Sequence, residues 1–119
     1  MKVLAVDDSA SMRSLVAMTL GNAGIEVTQA KDGIEALEIA STTEFDVVLA
    51  DINMPRMDGI QLIRELRADP RYRLTPILML TTESSDEDKR EGKAAGATGW
   101  IVKPFEPSSL INALRRVTR

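Results

Sequence analysis

Residues 47–51 read Val-Val-Leu-Ala-Asp, four apolar residues followed directly by a carboxylate. A run without polar interruptions predicts a strand that is buried on both faces of a parallel sheet. Similar runs lie at 3–6, 77–80 and 100–102, whereas the run at 25–29 alternates more and is typical of an edge strand. The sequence therefore predicts five strands, with the strand at 47–50 near the middle and Asp51 directly after it.

Amphipathic stretches separate these runs, with apolar residues recurring at spacings of three and four. Gly24 is a plausible stop for the first stretch, and Pro70 would end the third. Strand–helix alternation of this kind predicts an α/β fold with a doubly wound five-stranded parallel sheet, right-handed crossovers and five helices. The helical stretches lie at 12–23, 34–40, 62–66, 84–95 and 110–117.

The fourth helical stretch, 84–95, contains no large apolar residue and has Gly92 inside it. Burial stabilises by roughly 25 cal/mol per Å² of apolar surface, so such a helix has few anchors. Low local stability is typical of movable elements. The pattern also fits an exposed helix with no special role, and both interpretations stay open.

Length, charge and composition exclude several functions. The 119 residues suit one domain, 1–119, and the net charge of -3 argues against nucleic acid as main partner. Because there is no cysteine and no histidine, disulfides, ordinary zinc sites and serine–histidine catalysis are excluded. No apolar run approaches the ~20 residues that span a bilayer. We expect a cytoplasmic protein without membrane insertion and with no output domain after the last helix.

Polar residues collect where the predicted strands end. The carboxyl ends of parallel strands share one edge of the sheet, where such folds bind ligands. Three carboxylates gathered there repel one another unless a cation joins them, and an all-oxygen donor set suits Mg²⁺, for which Mn²⁺ should substitute. These strand-end residues are Asp7, Asp8, Asp51, Thr81, Thr82 and Lys103.

Asp51 is the best candidate nucleophile because it follows a central strand, whereas the adjacent Asp7 and Asp8 suit an ion. A carboxylate beside Mg²⁺ and a lysine can accept a phosphoryl group, whose oxygens Lys103 and the Thr81 hydroxyl would contact. Each residue alone has an ordinary explanation, such as a helix cap, so the signal is their conjunction. Asp58-Gly59 predicts a helix start without chemistry.

Four motifs carry a family resemblance: Val6–Ser9, Asp51–Gly59, Leu80–Glu83 and Trp100–Phe105. Together they resemble the receiver domains of two-component response regulators, most closely the single-domain, CheY-like chemotaxis type. The resemblance covers essentially the whole chain. It implies a flavodoxin-like sheet with strand order 2-1-3-4-5.

The resemblance also implies a metal site and a phosphoacceptor. Asp51 would accept the phosphoryl group, and Asp8 and the backbone carbonyl of Asn53 would join it as direct Mg²⁺ ligands. Asp7 would act nearby, through water. Lys103 would contact the phosphoryl group and precede a cis peptide bond to proline.

Further positions are implied as regulators of the site. Thr81 would move toward the attached phosphoryl group, and Asn53 and Glu83 would tune how quickly the acyl phosphate hydrolyses. Trp100 stands where the family usually has Tyr, an aromatic that rotates between outside and inside positions. The indole is bulkier and has a donor but no acceptor, so its inward state should be harder to reach.

The implied partners are proteins. A CheA-like sensor histidine kinase would donate the phosphoryl group. A FliM-like motor switch protein or another target would bind the surface formed by the fourth helix, the fifth strand and the fifth helix. A dedicated phosphatase is a further candidate partner. A phosphate sink, a phosphorelay intermediate and a twitching-motility regulator share this chemistry. Two other classes of protein are alternatives. An Asp-nucleophile phosphatase usually carries a second Asp at the position of Asn53, so the asparagine argues against that class. A flavodoxin-like cofactor binder would place a phosphate after the first strand, where Asp7 and Asp8 would repel it unless a metal intervened.

Overall fold

The computed structural model describes residues 1–52, 54, 57–82 and 86–118. Five strands form one sheet in the order β2-β1-β3-β4-β5, and all of its neighbours pair in parallel. The predicted strand order is confirmed, and the alternating second run does lie at an edge. The fifth run was predicted to be buried on both faces, and this was wrong, because β5 is the other edge strand and exposes Trp100 and Val102. The strands are Lys2–Val6 (β1), Glu26–Ala30 (β2), Val47–Asp51 (β3), Ile77–Thr81 (β4) and Gly99–Val102 (β5).

Five α-helices alternate with the strands: Ala10–Asn22 (α1), Gly33–Thr42 (α2), Gly59–Arg67 (α3), Asp86–Ala95 (α4) and Pro107–Val117 (α5). The first three begin at the capping side chains of Ser9, Asp32 and Asp58, each of which accepts a backbone N–H. Gly24 has a φ of 80° just after α1, which fits the predicted stop.

The end of α3 differs from the sequence prediction. The helix stops at Arg67, three residues before the proline that was expected to end it. Pro70 instead begins a short 3₁₀ helix, Pro70–Tyr72, capped by the side chain of Asp69. Proline is well suited to a first helical position, because its missing N–H has no partner there and its φ is already helical.

Alternate residues of each inner strand feed two separate cores. Leu4 and Val48 belong to the core under α2 and α3, whereas Val3 and Leu49 belong to the core under α1 and α5. Burial on both faces is the reason that these strands read as continuous apolar runs. The layers leave the carboxyl ends of the strands along one edge, where the polar residues lie.

Helix α4 is attached to this framework by small residues. Its sequence is Asp-Glu-Asp-Lys-Arg-Glu-Gly-Lys-Ala-Ala, and its buried residues are Gly92 and Ala95. The prediction that it offers no large apolar anchor holds for the part that the structure describes. Within the described residues, no helix is long and apolar enough to cross a membrane.

Tyr72 fastens the corner between α3 and β4 to the end of α2. The side chain is 1% exposed, and its hydroxyl is 3.0 Å from the carbonyl of Ala40 and 2.7 Å from that of Thr43. Burial raises the pKa of this hydroxyl, so it stays a donor at neutral pH. This contact holds the amino-terminal side of the sheet, away from the acidic edge.

Removing the hydroxyl of Tyr72 tests the contact. We expect Tyr72→Phe to lower the free energy of unfolding by about 1–2 kcal/mol, because it leaves partly buried carbonyls without their donor. Urea unfolding followed by circular dichroism measures the change. Ser41→Ala is the control, since the Ser41 hydroxyl is exposed and bonds only within its own turn; equal losses in both variants would contradict the assignment.

Candidate functional site

Three carboxylates meet at the carboxyl edge of the sheet. Asp7, Asp8 and Asp51 each place a carboxylate oxygen so that all three atoms lie within 4.8 Å of one another. The pairing of Val6 with Ala50 brings the ends of β1 and β3 side by side, which explains the convergence. Asp7 and Asp51 are 2% and 7% exposed, whereas Asp8 is exposed. The cluster therefore faces solvent from one side only.

Asp7 is held at every polar atom. Its N–H donates to the carbonyl of Ala30 at 3.1 Å, and its carbonyl accepts from the Arg13 guanidinium at 2.6 Å. Of the carboxylate oxygens, Oδ1 accepts from the N–H of Ser9 at 2.9 Å and Oδ2 accepts from Lys103 Nζ at 2.9 Å. Both carboxylate oxygens of Asp7 therefore have a partner within the chain, and the side chain is held in place between Ser9 and Lys103.

Lys103, which follows β5, contacts carboxylates that lie at the ends of β1 and β3. Its ammonium lies 2.9 Å from Asp7 Oδ2 and 3.5 Å from Asp51 Oδ1, and its side chain is 11% exposed. The backbone N–H of Lys103 donates to the carbonyl of Thr81 at 2.7 Å, which fixes where β5 delivers the side chain. The Lys103–Pro104 bond is cis, as the resemblance implied.

Thr81 lies at the same edge. It is the last residue of β4 and is 5% exposed, whereas its neighbour Thr82 is exposed. The N–H of Ile52 donates to the carbonyl of Leu80 at 3.0 Å, so the chain positions just after Asp51 and just before Thr81 are hydrogen-bonded to each other. Of the two threonines named from the sequence, Thr81 is the one brought to the buried site.

Two of the sequence-predicted site residues, Asn53 and Glu83, lie outside the described residues. The carbonyl ligand at Asn53 and the tuning of hydrolysis by both side chains therefore stay predictions.

Trp100 covers a small gap beside the site. The residue is exposed, at 37%, and Lys89 Nζ lies 5.1 Å from the ring centroid. Behind the ring is a gap of about 10 Å³. It is lined by Ile52, Met79, Thr81, Asp88, Lys89 and Trp100. The switch threonine and the aromatic named from the sequence thus border the same space.

The donor set of the acidic cluster fits a hard divalent cation. All the side-chain donors are carboxylate oxygens, and Lys103 is positioned to offset only one of the three negative charges. Oxygen ligands with a solvent-facing side suit Mg²⁺, which keeps several of its waters. Asp7, Asp8 and Asp51 each have a carboxylate oxygen within reach of one such ion.

Gly59 has a role at the site that the sequence reasoning missed. A Cβ at this position would lie 2.4 Å from the carbonyl oxygen of Asp51 and 2.9 Å from the Cα of Ile52. The first residue of α3 therefore packs directly against the backbone that carries Asp51. The side chain of Asp58 accepts from the N–H of Gln61 at 2.8 Å, which confirms the predicted helix start. The sequence reasoning also missed that Arg13 and Ser9 hold Asp7 in place through hydrogen bonds.

Comparison with known proteins gives the class that this fold and this site define. The model of the response regulator receiver domain matches residues 3–115. The chemotaxis protein CheY-3 of Vibrio cholerae serotype O1 is 42% identical over 118 residues, which cover 98% of this chain and 91% of that protein. The chain therefore belongs to the response regulator receiver domain family.

Solved structures place the chain more narrowly within the family. Vibrio cholerae chemotaxis protein CheY4, crystallised at low pH, is 56% identical with a TM-score of 0.96, covering 98% of this chain and 97% of that one. The receiver domain of sensor histidine kinase PA1611 from Pseudomonas aeruginosa PAO1, solved with a magnesium ion in its active site cleft, is 31% identical with a TM-score of 0.92, covering 98% and 96%. The chain is a receiver domain of the CheY-like kind.

A methyl group at Gly59 tests the close approach of α3 to Asp51. We expect Gly59→Ala to lower the free energy of unfolding by about 1–3 kcal/mol and to weaken Mg²⁺ binding, because the backbone of Asp51 has to shift. Urea unfolding and Mg²⁺ titration measure the two effects. The matched control is Gly21→Ala in α1, where nothing lies within 4 Å of the added carbon; it should be neutral or slightly stabilising. A Gly59→Ala protein as stable as its parent would contradict the geometry.

Neutralising Asp8 tests the electrostatics of the cluster. We expect Asp8→Asn to stabilise the metal-free protein by on the order of 1 kcal/mol, because the repulsion of Asp8 with both Asp7 and Asp51 is removed. The same change should abolish the rise in melting temperature that Mg²⁺ gives the parent, which differential scanning calorimetry measures. Glu26→Gln makes the same charge change at the opposite edge and should keep the Mg²⁺ response. A Mg²⁺ response retained in Asp8→Asn would refute this ligand assignment.

Proposed function

We propose that this chain, over residues 1–119, is a stand-alone phosphorylation switch in which Asp51 accepts a phosphoryl group from a sensor histidine kinase. The observation that carries the proposal is the position of Asp51, a buried carboxylate within the acidic cluster and 3.5 Å from Lys103. A nucleophile of this kind needs positioning and charge neutralisation more than covalent help.

In the proposed step, a carboxylate oxygen of Asp51 attacks the phosphorus of a phosphohistidine. The new P–O bond forms as the P–N bond breaks, and the kinase imidazole leaves with the electron pair and is protonated. Asp8, Asp51 and the carbonyl of Asn53 would hold Mg²⁺, or Mn²⁺ in its place, and the ion would supply positive charge beside the phosphoryl oxygens.

The residues of the chain contribute position and charge. Lys103, whose ammonium lies 3.5 Å from Asp51 Oδ1, would contact a phosphoryl oxygen, and its ion pair with Asp7 would keep the ammonium in place when Asp51 is modified. The hydroxyl of Thr81 turns toward the phosphoryl group and supplies a further donor. Modification adds roughly two negative charges at one point, which favours one of two existing conformations of the domain.

A switch fits better than an enzyme with small-molecule turnover. Position 53, two residues after the nucleophile, is asparagine, so the acid/base carboxylate expected of an Asp-nucleophile phosphatase is not there. Hydrolysis of the acyl phosphate is then a timed reset, and Asn53 and Glu83 tune its rate. We propose that catalysis is confined to self-phosphorylation and self-dephosphorylation.

Similarity to chemotaxis proteins favours one signalling context among those with this chemistry. We propose a CheA-like kinase as donor and a FliM-like motor switch protein as target, which exchange with this domain in the cytoplasm. The target would bind the surface formed by α4, β5 and α5. A phosphate sink, a phosphorelay intermediate and a twitching-motility regulator are the alternatives, and identification of the protein captured by the phosphorylated domain separates them.

Asp51→Asn tests the proposed acceptor. Addition of acetyl phosphate or beryllium trifluoride with Mg²⁺ to the parent should change the Trp100 fluorescence in a saturable way, because the switch residues border the indole. Asp51→Asn should lose the response completely and should carry no phosphoryl group by intact-protein mass spectrometry.

Asp46→Asn is the matched control at the opposite edge of the sheet and should respond like the parent. Chelation of Mg²⁺ should abolish the parent response as well. A phosphoryl group found on Asp51→Asn, or continuous turnover of many phosphate esters by the parent, would overturn the proposal.

A further inference from the structure

The ammonium of Lys89 lies over the face of Trp100, 5.1 Å from the ring centroid. This distance is within the ~6 Å range of a cation–π contact, and indole is the aromatic ring that binds cations best. Lys89 belongs to the first half of α4 and is half-buried, whereas Trp100 belongs to β5. The contact therefore joins a helix to a strand across the surface beside the phosphoacceptor site.

The gap behind the indole is too small to receive it. Its volume of about 10 Å³ is near the minimum that one water molecule needs, and an indole is many times larger. Lys89 and Asp88 of α4 line the gap together with Thr81. Movement of α4 away from the sheet would enlarge the gap, and such a movement separates Lys89 from Trp100.

The buried positions of α4 hold it to the sheet through small residues. They are Gly92 and Ala95, and Gly92 lies so close to Met79 that a Cβ there would be 2.5 Å from its sulfur. Both residues belong to the second half of the helix. The contact of Lys89 in the first half can thus influence the position of the helix.

We infer that Lys89 is a positioning residue that holds the Trp100 indole outside the gap and so sets the threshold of the switch. The ammonium stabilises the outward ring and the resting position of α4 together. The consequence for signalling rests on the proposed function, because phosphorylation must then overcome this contact before the ring moves inward. A cation–π contact at a partly exposed site shifts an equilibrium by roughly two- to fivefold.

Fluorine NMR tests the inference directly. The chain has a single Trp, so 5-fluorotryptophan labels one position and reports the indole environment without overlap. In the absence of a phosphoryl mimic, Lys89→Gln should shift the resonance toward the position that beryllium trifluoride with Mg²⁺ produces in the parent. The same variant should need roughly two- to fivefold less beryllium trifluoride for half-saturation. Lys89→Arg keeps a cation over the ring and should restore the parent values.

Lys93→Gln is the matched control, because it removes the same charge one turn further along α4 from an exposed position. Equal shifts in Lys89→Gln and Lys93→Gln would show a general charge effect and overturn the inference. An unchanged resonance and midpoint in Lys89→Gln would overturn it as well. If the parent fails to bind beryllium trifluoride, the proposed function fails instead. The solvent isotope shift of the resonance without the mimic should still be smaller in Lys89→Gln than in the parent, because the ring moves inward, and an unchanged or larger shift would overturn the inference.

Discussion

Crowded negative charge at one edge of the sheet is the constraint on which the site depends. Two of the three carboxylates are buried, and burying a charge is costly unless it is paired and hydrogen-bonded. Lys103 is the described cation that touches both buried carboxylates, and it is 96 residues from Asp7 in sequence. The site is therefore complete only when β5, the last strand in chain order, has joined the sheet. The positive charge of Lys103, which follows β5, then offsets part of the negative charge of the carboxylates.

The pairing of Lys103 is unequal, and the inequality has a chemical consequence. The ammonium is closer to Asp7, at 2.9 Å, than to Asp51, at 3.5 Å. The backbone of Asp7 is hydrogen-bonded to Ala30 and Arg13, and its carboxylate accepts from the N–H of Ser9. The carboxylate that pairs with the lysine is therefore itself held in place. Asp51 thus has a neighbouring positive charge that Asp7 keeps in place. In the proposed function, that charge stays beside Asp51 when its carboxylate is modified.

Much of the fold could be predicted from the sequence, because burial on both faces leaves an unmistakable apolar pattern in strands such as β3 and β4. The strand-end residues could also be predicted, since parallel strands bring their carboxyl ends to one edge. Contacts that depend on distances across the fold could not be predicted. The close approach of Gly59 to Asp51 and the placement of Arg13 behind Asp7 leave no periodicity in the sequence. Pro70 was misjudged because proline can begin a helical turn as well as end one.

The replacement of the family's usual tyrosine by Trp100 changes what the switch requires of its neighbours. A ring that moves inward must find a volume, and the present gap holds at most about one water molecule. Interiors are close-packed, so the extra volume has to come from displacement of an element that is weakly held. Helix α4, which buries only small residues among those described, is that element. In the proposed switch, a larger aromatic would therefore couple a change at Asp51 more tightly to the helix, because its inward movement needs more of the volume that displacement of α4 releases.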